Sequence, residues 1–370
     1  MRPHIILFFT RGVSLRTWNL IGNLDREVAL YRRLMSHGYE VSFVTYGDAS
    51  DLAFAGRLGG IRILCNETGL PSEEYEQGLF SLHGRYLDKC HVIKTNQSYG
   101  ADIALKAAQR YGKPLVARCG YLWSFNAARD HGEDSPAAIE AGRVEELVFS
   151  AADRVVVTTP AMKADVIRRI PAAASTVTVI PNYVDTDLFR PLEAAKDPKT
   201  VLFVGRIAPE KNLEALLEAL EPLDLKLVLI GEGRLRPHLQ SRFKDLDGRV
   251  TWEGNVPNSD LPLHLNQVGC FVLPSLYEGH PKALLEAMSC ATPVIGADSP
   301  GIRGLVRHLD TGYLCSADKE GLRAALTELP ARPDLCSELG KKARDFIVEN
   351  YSLDRVVQLE LALLREVLSV

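Results

Sequence analysis

Paired cysteines are missing from this 370-residue sequence. Its seven thiols (Cys65, Cys90, Cys119, Cys270, Cys290, Cys315 and Cys336) are odd in number and lack the close pairs that bind zinc. Several sit inside apolar runs, as Cys270 does in GCFVLP, where a thiol behaves as a small hydrophobe. That usage fits a reduced, cytoplasmic setting. The nine His are scattered without ligand spacing, so no metal site is expected. There is no excess of Lys and Arg either: the formal net charge is −4, which gives nucleic acid no electrostatic footprint. No stretch approaches the roughly 20 apolar residues of a membrane span, which leaves open a peripheral contact at the inner face of a membrane. The opening MRPHIILFFTRG is too short and lacks a small-residue cleavage site, so it reads as a first strand, not a signal peptide. That strand runs into FFTRGVS without G-x-G-x-x-G, which argues against a nicotinamide-dependent oxidoreductase.

What is present is globular: 46% hydrophobic and 24% charged residues, in a chain long enough for two domains. Short apolar runs alternate with helix-period segments, the pattern of βαβ units on a parallel sheet. Expected strands are His4–Phe9, Glu40–Thr45, Ile61–Leu64, His91–Thr95, Pro114–Ala117, Arg154–Thr158 and Val177–Ile180, with helices such as Glu27–Ser36 and Ile103–Tyr111 between them. Pro181–Thr200 is polar and aperiodic and reads as a linker. The alternation then restarts with strands Val201–Gly205, Lys226–Gly231, Val250–Trp252, Cys270–Leu273 and Pro293–Gly296, and helices Leu213–Leu220 and Lys282–Cys290. The expected domains are residues 1–185, with a closing helix 352–370, and residues 192–351. Ser352 is a candidate N-cap for that helix, whose Val357, Leu361, Leu364 and Leu368 form one apolar stripe. Residues 48–90 carry no readable function.

Three segments of the second half carry chemistry. The first is Glu278-Gly279-His280-Pro281-Lys282 followed by a helix containing Glu286. At about 100° per residue, Leu284, Leu285 and Met288 share one face and Glu286 projects roughly 150° from it, away from the core. Two carboxylates beside a helix N-terminus would suit a polyol carrying phosphate. Spacing alone favours the plainer reading, an exposed Glu286–Lys282 pair and a solvated Glu278. The second segment, Gly205-Arg206-Ile207-Ala208-Pro209-Glu210-Lys211, lies between a strand and a helix, where open α/β sheets bind ligands. Its two cations could neutralise a diphosphate leaving group, or sit in a solvated loop. The third, GEGR at 231–234, is a Gly-rich turn of low specificity.

Together these segments resemble the retaining glycosyltransferases of family 4, over about residues 150–370 closely and over the earlier part in layout. The family's Glu, seven residues, Glu pattern reads here as Glu278 to Glu286, and its Gly-Arg and Lys match Gly205, Arg206 and Lys211. The resemblance implies a GT-B fold: two Rossmann-like domains facing a central cleft, with a C-terminal helix crossing back to the first. It implies transfer of a hexose-type sugar from a nucleotide-diphosphate sugar to an acceptor, a glycan, a lipid-linked glycan or a small molecule, with retention and without a metal or other cofactor. Glu286 would hold the donor ribose, and Glu278 would approach the donor sugar with Gly279, His280, Pro281 and Lys282 beside it. Arg206 and Lys211 would hold the diphosphate, and the base would lie near Trp252–Val256.

The first half departs from the family pattern. Where many members place a His, PLVAR runs into Cys119-Gly120-Tyr121, and a single Gly12 follows the first strand in place of a glycine pair. Arg118, Tyr121 and Gly12 are the candidates on that side. Asp185-Thr186-Asp187 matches the DxD of metal-dependent transferases of another fold, but its linker position reads as turn chemistry. Beside transfer, two alternatives stand: a catalytically silent nucleotide-sugar-binding subunit and a nucleotide-sugar epimerase of the same fold. A phosphorylase would need a cofactor-binding Lys and a longer chain.

Overall fold

The computed structural model describes residues 2–369, which group into two compact units. The first holds the chain up to Asn19, Glu27–Pro181 and the tail from Val356; the second holds Leu20–Arg26 and Asn182–Arg355.

In the first unit β1 (His4–Phe8), β2 (Glu40–Asp48), β3 (Arg62–Asn66), β4 (Val92–Thr95), β5 (Leu115–Cys119), β6 (Arg154–Val157) and β7 (Val177–Val179) form one parallel sheet in the order β3-β2-β1-β4-β5-β6-β7. Every residue of β1 is buried, as expected of a parallel strand covered on both faces. In the second unit β8 (Asp197–Val204), β9 (Lys226–Ile230), β10 (Val250–Gly254), β11 (Val268–Leu273), β12 (Val294–Ala297) and β13 (Tyr313–Cys315) are ordered β10-β9-β8-β11-β12-β13. The order reverses between β8 and β11, and ligands of doubly wound sheets bind at such a reversal, beyond the carboxyl ends of the strands.

Most expected strands appear within a residue or two of their anticipated bounds. One difference is β8, which begins at Asp197, inside the stretch read as linker. Its first half is polar and largely exposed, so it shows no apolar signal, yet Asp197 pairs with Val268 and Thr200 with Lys226. The stretch 48–90 contains an 18-residue helix, Ser72–Lys89, and a buried carboxylate. Asp51 accepts the backbone N–H groups of Leu15 and Arg16, each at 3.1 Å, and the Thr45 hydroxyl at 2.6 Å. It thereby satisfies donors that open the helix Leu15–Leu20.

The terminal helix runs Leu353–Leu368, and the Ser352 hydroxyl accepts the Arg355 N–H at 3.3 Å, the capping role expected of it. Val357, Leu361 and Leu364 are buried. Within that apolar stripe Glu360 is also fully buried, and it accepts from Lys94 Nζ of β4 at 2.5 Å. Arg118 Nη1 lies 3.8 Å from the other Glu360 oxygen. Burial pulls the Lys94 ammonium below its usual range, an effect that the facing Glu360 opposes.

Candidate functional site

Arg206 and Lys211 lie in the loop leaving β8, and Glu278 lies in the loop leaving β11, on the two sides of the reversal. Asn212 ends the first loop with a left-handed backbone, φ 54°, a conformation Asn tolerates better than most residues. Its side-chain amide donates to the Pro274 carbonyl at 3.1 Å and to the Ala317 carbonyl at 2.7 Å. The Leu276 N–H donates to the Glu210 carbonyl at 2.9 Å, so the two loops are tied through backbone as well. On that frame Lys211 Nζ meets Glu278 Oε1 at 2.5 Å, with the side chains 14% and 11% exposed. Arg206 is different: its side chain is 77% exposed and pairs with Glu210 at 2.8 Å.

The glycines of these loops serve close approach. A Cβ on Gly231 would sit 2.0 Å from the Gly205 carbonyl oxygen, and one on Gly233 2.2 Å from that of Ile207. The GEGR turn therefore presses the end of β9 onto the end of β8. Likewise a Cβ on Gly301 would meet the Glu278 carbonyl at 2.2 Å, while the Glu278 N–H donates to the Pro300 carbonyl at 2.9 Å. Gly279 is partly exposed, His280 is buried with its carbonyl accepting from Asn182 at 2.8 Å, and Pro281 stands just before the helix Lys282–Ser289.

Glu286 corrects the sequence reading. Helical geometry pointed it away from the core, but its side chain is only 2% exposed. Oε1 accepts from Arg26 Nη1 at 3.0 Å and from Asn258 Nδ2 at 2.8 Å, and Oε2 is buried with no hydrogen-bond partner. The face opposite the leucines is covered by Leu20–Arg26, which belongs to this unit although it precedes it by over a hundred residues of chain. Sequence reasoning missed Arg26 and Asn258. Arg26 and Glu286 are 260 residues apart, and no local spacing could pair them.

In the first unit Gly12 has φ 75°, with open space where a Cβ would stand. Arg118 faces Glu360, and Tyr121 is 38% exposed. Asp185 accepts the N–H groups of Asp187 at 3.1 Å and Leu188 at 3.2 Å, which is the turn chemistry anticipated for that segment. Among the described residues no helix is long and apolar enough to cross a membrane.

Comparison with known proteins bears on these same segments. The Glycosyl transferases group 1 model matches residues 184–346, and the Glycosyltransferase Family 4 model matches residues 28–188. A D-inositol 3-phosphate glycosyltransferase of Thermobispora bispora is 28% identical over 85% of this chain and 83% of its own. Among solved structures, sucrose-phosphate synthase from Thermosynechococcus elongatus superposes with a TM-score of 0.82 over 100% of both chains at 21% identity. HepE from Anabaena, solved with UDP-glucose, reaches 0.77 over 98% of this chain and 99% of its own at 17% identity. The two sheets are those of the GT-B fold. With one family model matching most of each unit, the chain belongs to glycosyltransferase family 4, whose members take sugars from nucleotide-sugar donors.

Proposed function

We propose that this protein transfers a hexose-type sugar from a nucleoside-diphosphate sugar to a carbohydrate hydroxyl, on a glycan, a lipid-linked glycan or a small molecule, with retention and without a metal ion. The observation that carries the reading is the Lys211–Glu278 pair at the reversal of the second sheet, one member from each strand-end loop. Lys211, with Arg206 at the outer edge, would hold the diphosphate, and Glu278 with the backbone of Gly279–Lys282 would face the donor sugar. As the bond from the anomeric carbon to the diphosphate oxygen breaks, that oxygen keeps the electron pair and positive charge grows on the carbon. The acceptor hydroxyl forms the new bond on the same face and gives up its proton to the departing diphosphate oxygen. A cation fixed beside the departing oxygen interacts more strongly as its charge grows, which lowers the barrier.

A thermal-shift series with uridine, guanosine and adenosine diphosphates tests the donor side, since a ligand at a hundredfold excess over its Kd stabilises by about 2.7 kcal/mol. UDP is the first probe, because HepE was solved with UDP-glucose. A flat response to all three would reject the reading. Donor turnover then separates a transferase from a silent binding subunit.

Two further outcomes follow. Glu286→Gln keeps the shape of a buried side chain, and is expected to weaken nucleoside-diphosphate binding roughly tenfold to a hundredfold, the worth of a hydrogen bond to a charged acceptor. Calorimetry showing an unchanged Kd would remove Glu286 from the site. Glu286→Ala is a poorer probe, because it also removes the carboxylate of a largely buried ion pair with Arg26 and so lowers stability as well. For the metal question, EDTA should leave transfer intact and Asp187→Asn should change it little, since this segment is committed to its turn. Activity lost in chelator and restored by manganese or magnesium would overturn metal independence.

A further inference from the structure

The Glu286 carboxylate is bound unevenly. Both of its hydrogen bonds fall on Oε1, and Oε2 is buried without one. A buried acceptor left unmet costs free energy, so a site that keeps one is short of a donor. A sugar hydroxyl is a donor of the right kind.

Arg26 and Asn258 together produce the asymmetry, and Arg26 does not arrive by chance. Gly22 turns the chain at φ 74°, and a Cβ there would lie 2.4 Å from the Val256 carbonyl oxygen. The Asn258 N–H donates to the Gly22 carbonyl at 3.0 Å, and the Tyr183 hydroxyl donates to the Arg26 carbonyl at 2.5 Å. Arg26 Nη2 donates to Asn23 Oδ1 at 2.7 Å while Nη1 holds Glu286. The backbone is therefore anchored on both sides of the side chain, and the guanidinium is steered by a second acceptor on its own segment. These anchors adjoin the 252–256 turn expected to receive the base.

The geometry points to Arg26 as a positioning residue of the donor site. By occupying Glu286 Oε1 beside Asn258, and as the charged donor of the two, it aims the remaining oxygen at a nucleoside hydroxyl and so strengthens the preference for ribose over deoxyribose. This rests on the reading of Glu286 given under Proposed function. The guanidinium also offsets the charge of the buried carboxylate, which would otherwise add to that of a bound diphosphate.

The test is a ribose-selectivity comparison by calorimetry, using UDP, GDP and ADP, each against its 2′-deoxy form. The wild-type protein should prefer the ribose form roughly tenfold or more. Arg26→Gln should lose most of that preference, Arg26→Lys should regain part of it, and Asn23→Ala, a milder change, should lower it in the same direction. If Arg26 acted only on the charge of the diphosphate, Arg26→Gln would lose affinity for both forms and keep its selectivity; that result overturns the proposal. So does an unselective wild type. A wild type that binds none of the three diphosphates fails the transferase reading itself, while a selective wild type matched by an equally selective Arg26→Gln fails the assignment of Arg26 alone.

Discussion

Glu360→Ala is expected to cost about 3–5 kcal/mol of stability, the range for removing one partner of a buried ion pair. The Lys94 and Glu360 side chains are both 0% exposed and 2.5 Å apart, so the alanine leaves an ammonium in the core of the first unit with no solvent to take its charge. Burial already pulls the Lys94 pKa down, and the loss of Glu360 removes the group that opposes this. With total stabilities of roughly 5–15 kcal/mol, that loss unfolds much of the margin. Urea denaturation of the full chain checks it, and a change below about 1 kcal/mol would show that the pair contributes little beyond packing. A Lys94→Met, Glu360→Leu double variant should recover much of the loss, because replacing both charges by apolar side chains is often neutral or better. Ending the chain at Asn350 combines this defect with the loss of Val357, Leu361 and Leu364 from the same apolar face. Such a chain should lose solubility and transfer, and lose nucleotide binding less, since the proposed donor residues lie in the second unit. A monodisperse, fully active protein ending there would make the terminal helix an accessory.

Lys211→Ala should depress kcat by about a hundredfold to a thousandfold at saturating donor, the usual worth of one fixed group stabilising a developing anion. Arg206→Ala should cost much less, about tenfold or below, because an exposed cation is screened by water and salt. The sequence offered no way to rank the two. The structure does: Lys211 is 14% exposed and locked to Glu278, whereas Arg206 is 77% exposed. Steady-state kinetics should show the change in kcat more than in KM, as expected for an interaction that strengthens in the transition state. If both variants turn over at the wild-type rate, the diphosphate lies elsewhere.

Strands were legible because parallel sheets need short, nearly continuous apolar runs, and HIILF or CFVL, too brief for a buried helix and rich in β-formers, read as strands. The short β13 was not anticipated: Tyr313–Cys315 is too brief for any period to show. The helix Ser72–Lys89 was hidden by its own composition, since its buried positions include His83 and Tyr75, hydrogen-bonded to each other at 3.1 Å, among Leu79 and Leu87. For the site, the spacing from Glu278 to Glu286 and the loop after β8 were readable because each lies within a few residues of chain. What stayed out of reach were partners brought together by topology: Arg26 with Glu286, and Lys94 with Glu360, the latter 266 residues apart. Glu286 was visible as a residue while its burial and its partner were not, and neither Lys94 nor Glu360 stood out in the sequence at all. The error over Glu286 has the same root, for a helix wheel states which way a side chain points but not what else comes to cover it.

The run Leu20–Arg26 bears on how such enzymes can be recombined. Exchanging donor halves between relatives looks like a matter of one cut near Asn182 and one near Arg355, yet the unit so excised lacks Gly22, Asn23 and Arg26. A transplanted half would carry its buried Glu286 into a host whose own short segment must supply the matching cation from the start of a helix, and whose glycine must fit beneath a foreign Val256. The exchangeable module is therefore two pieces of sequence, and swaps that carry both should succeed where single-block swaps fold poorly or lose their nucleotide.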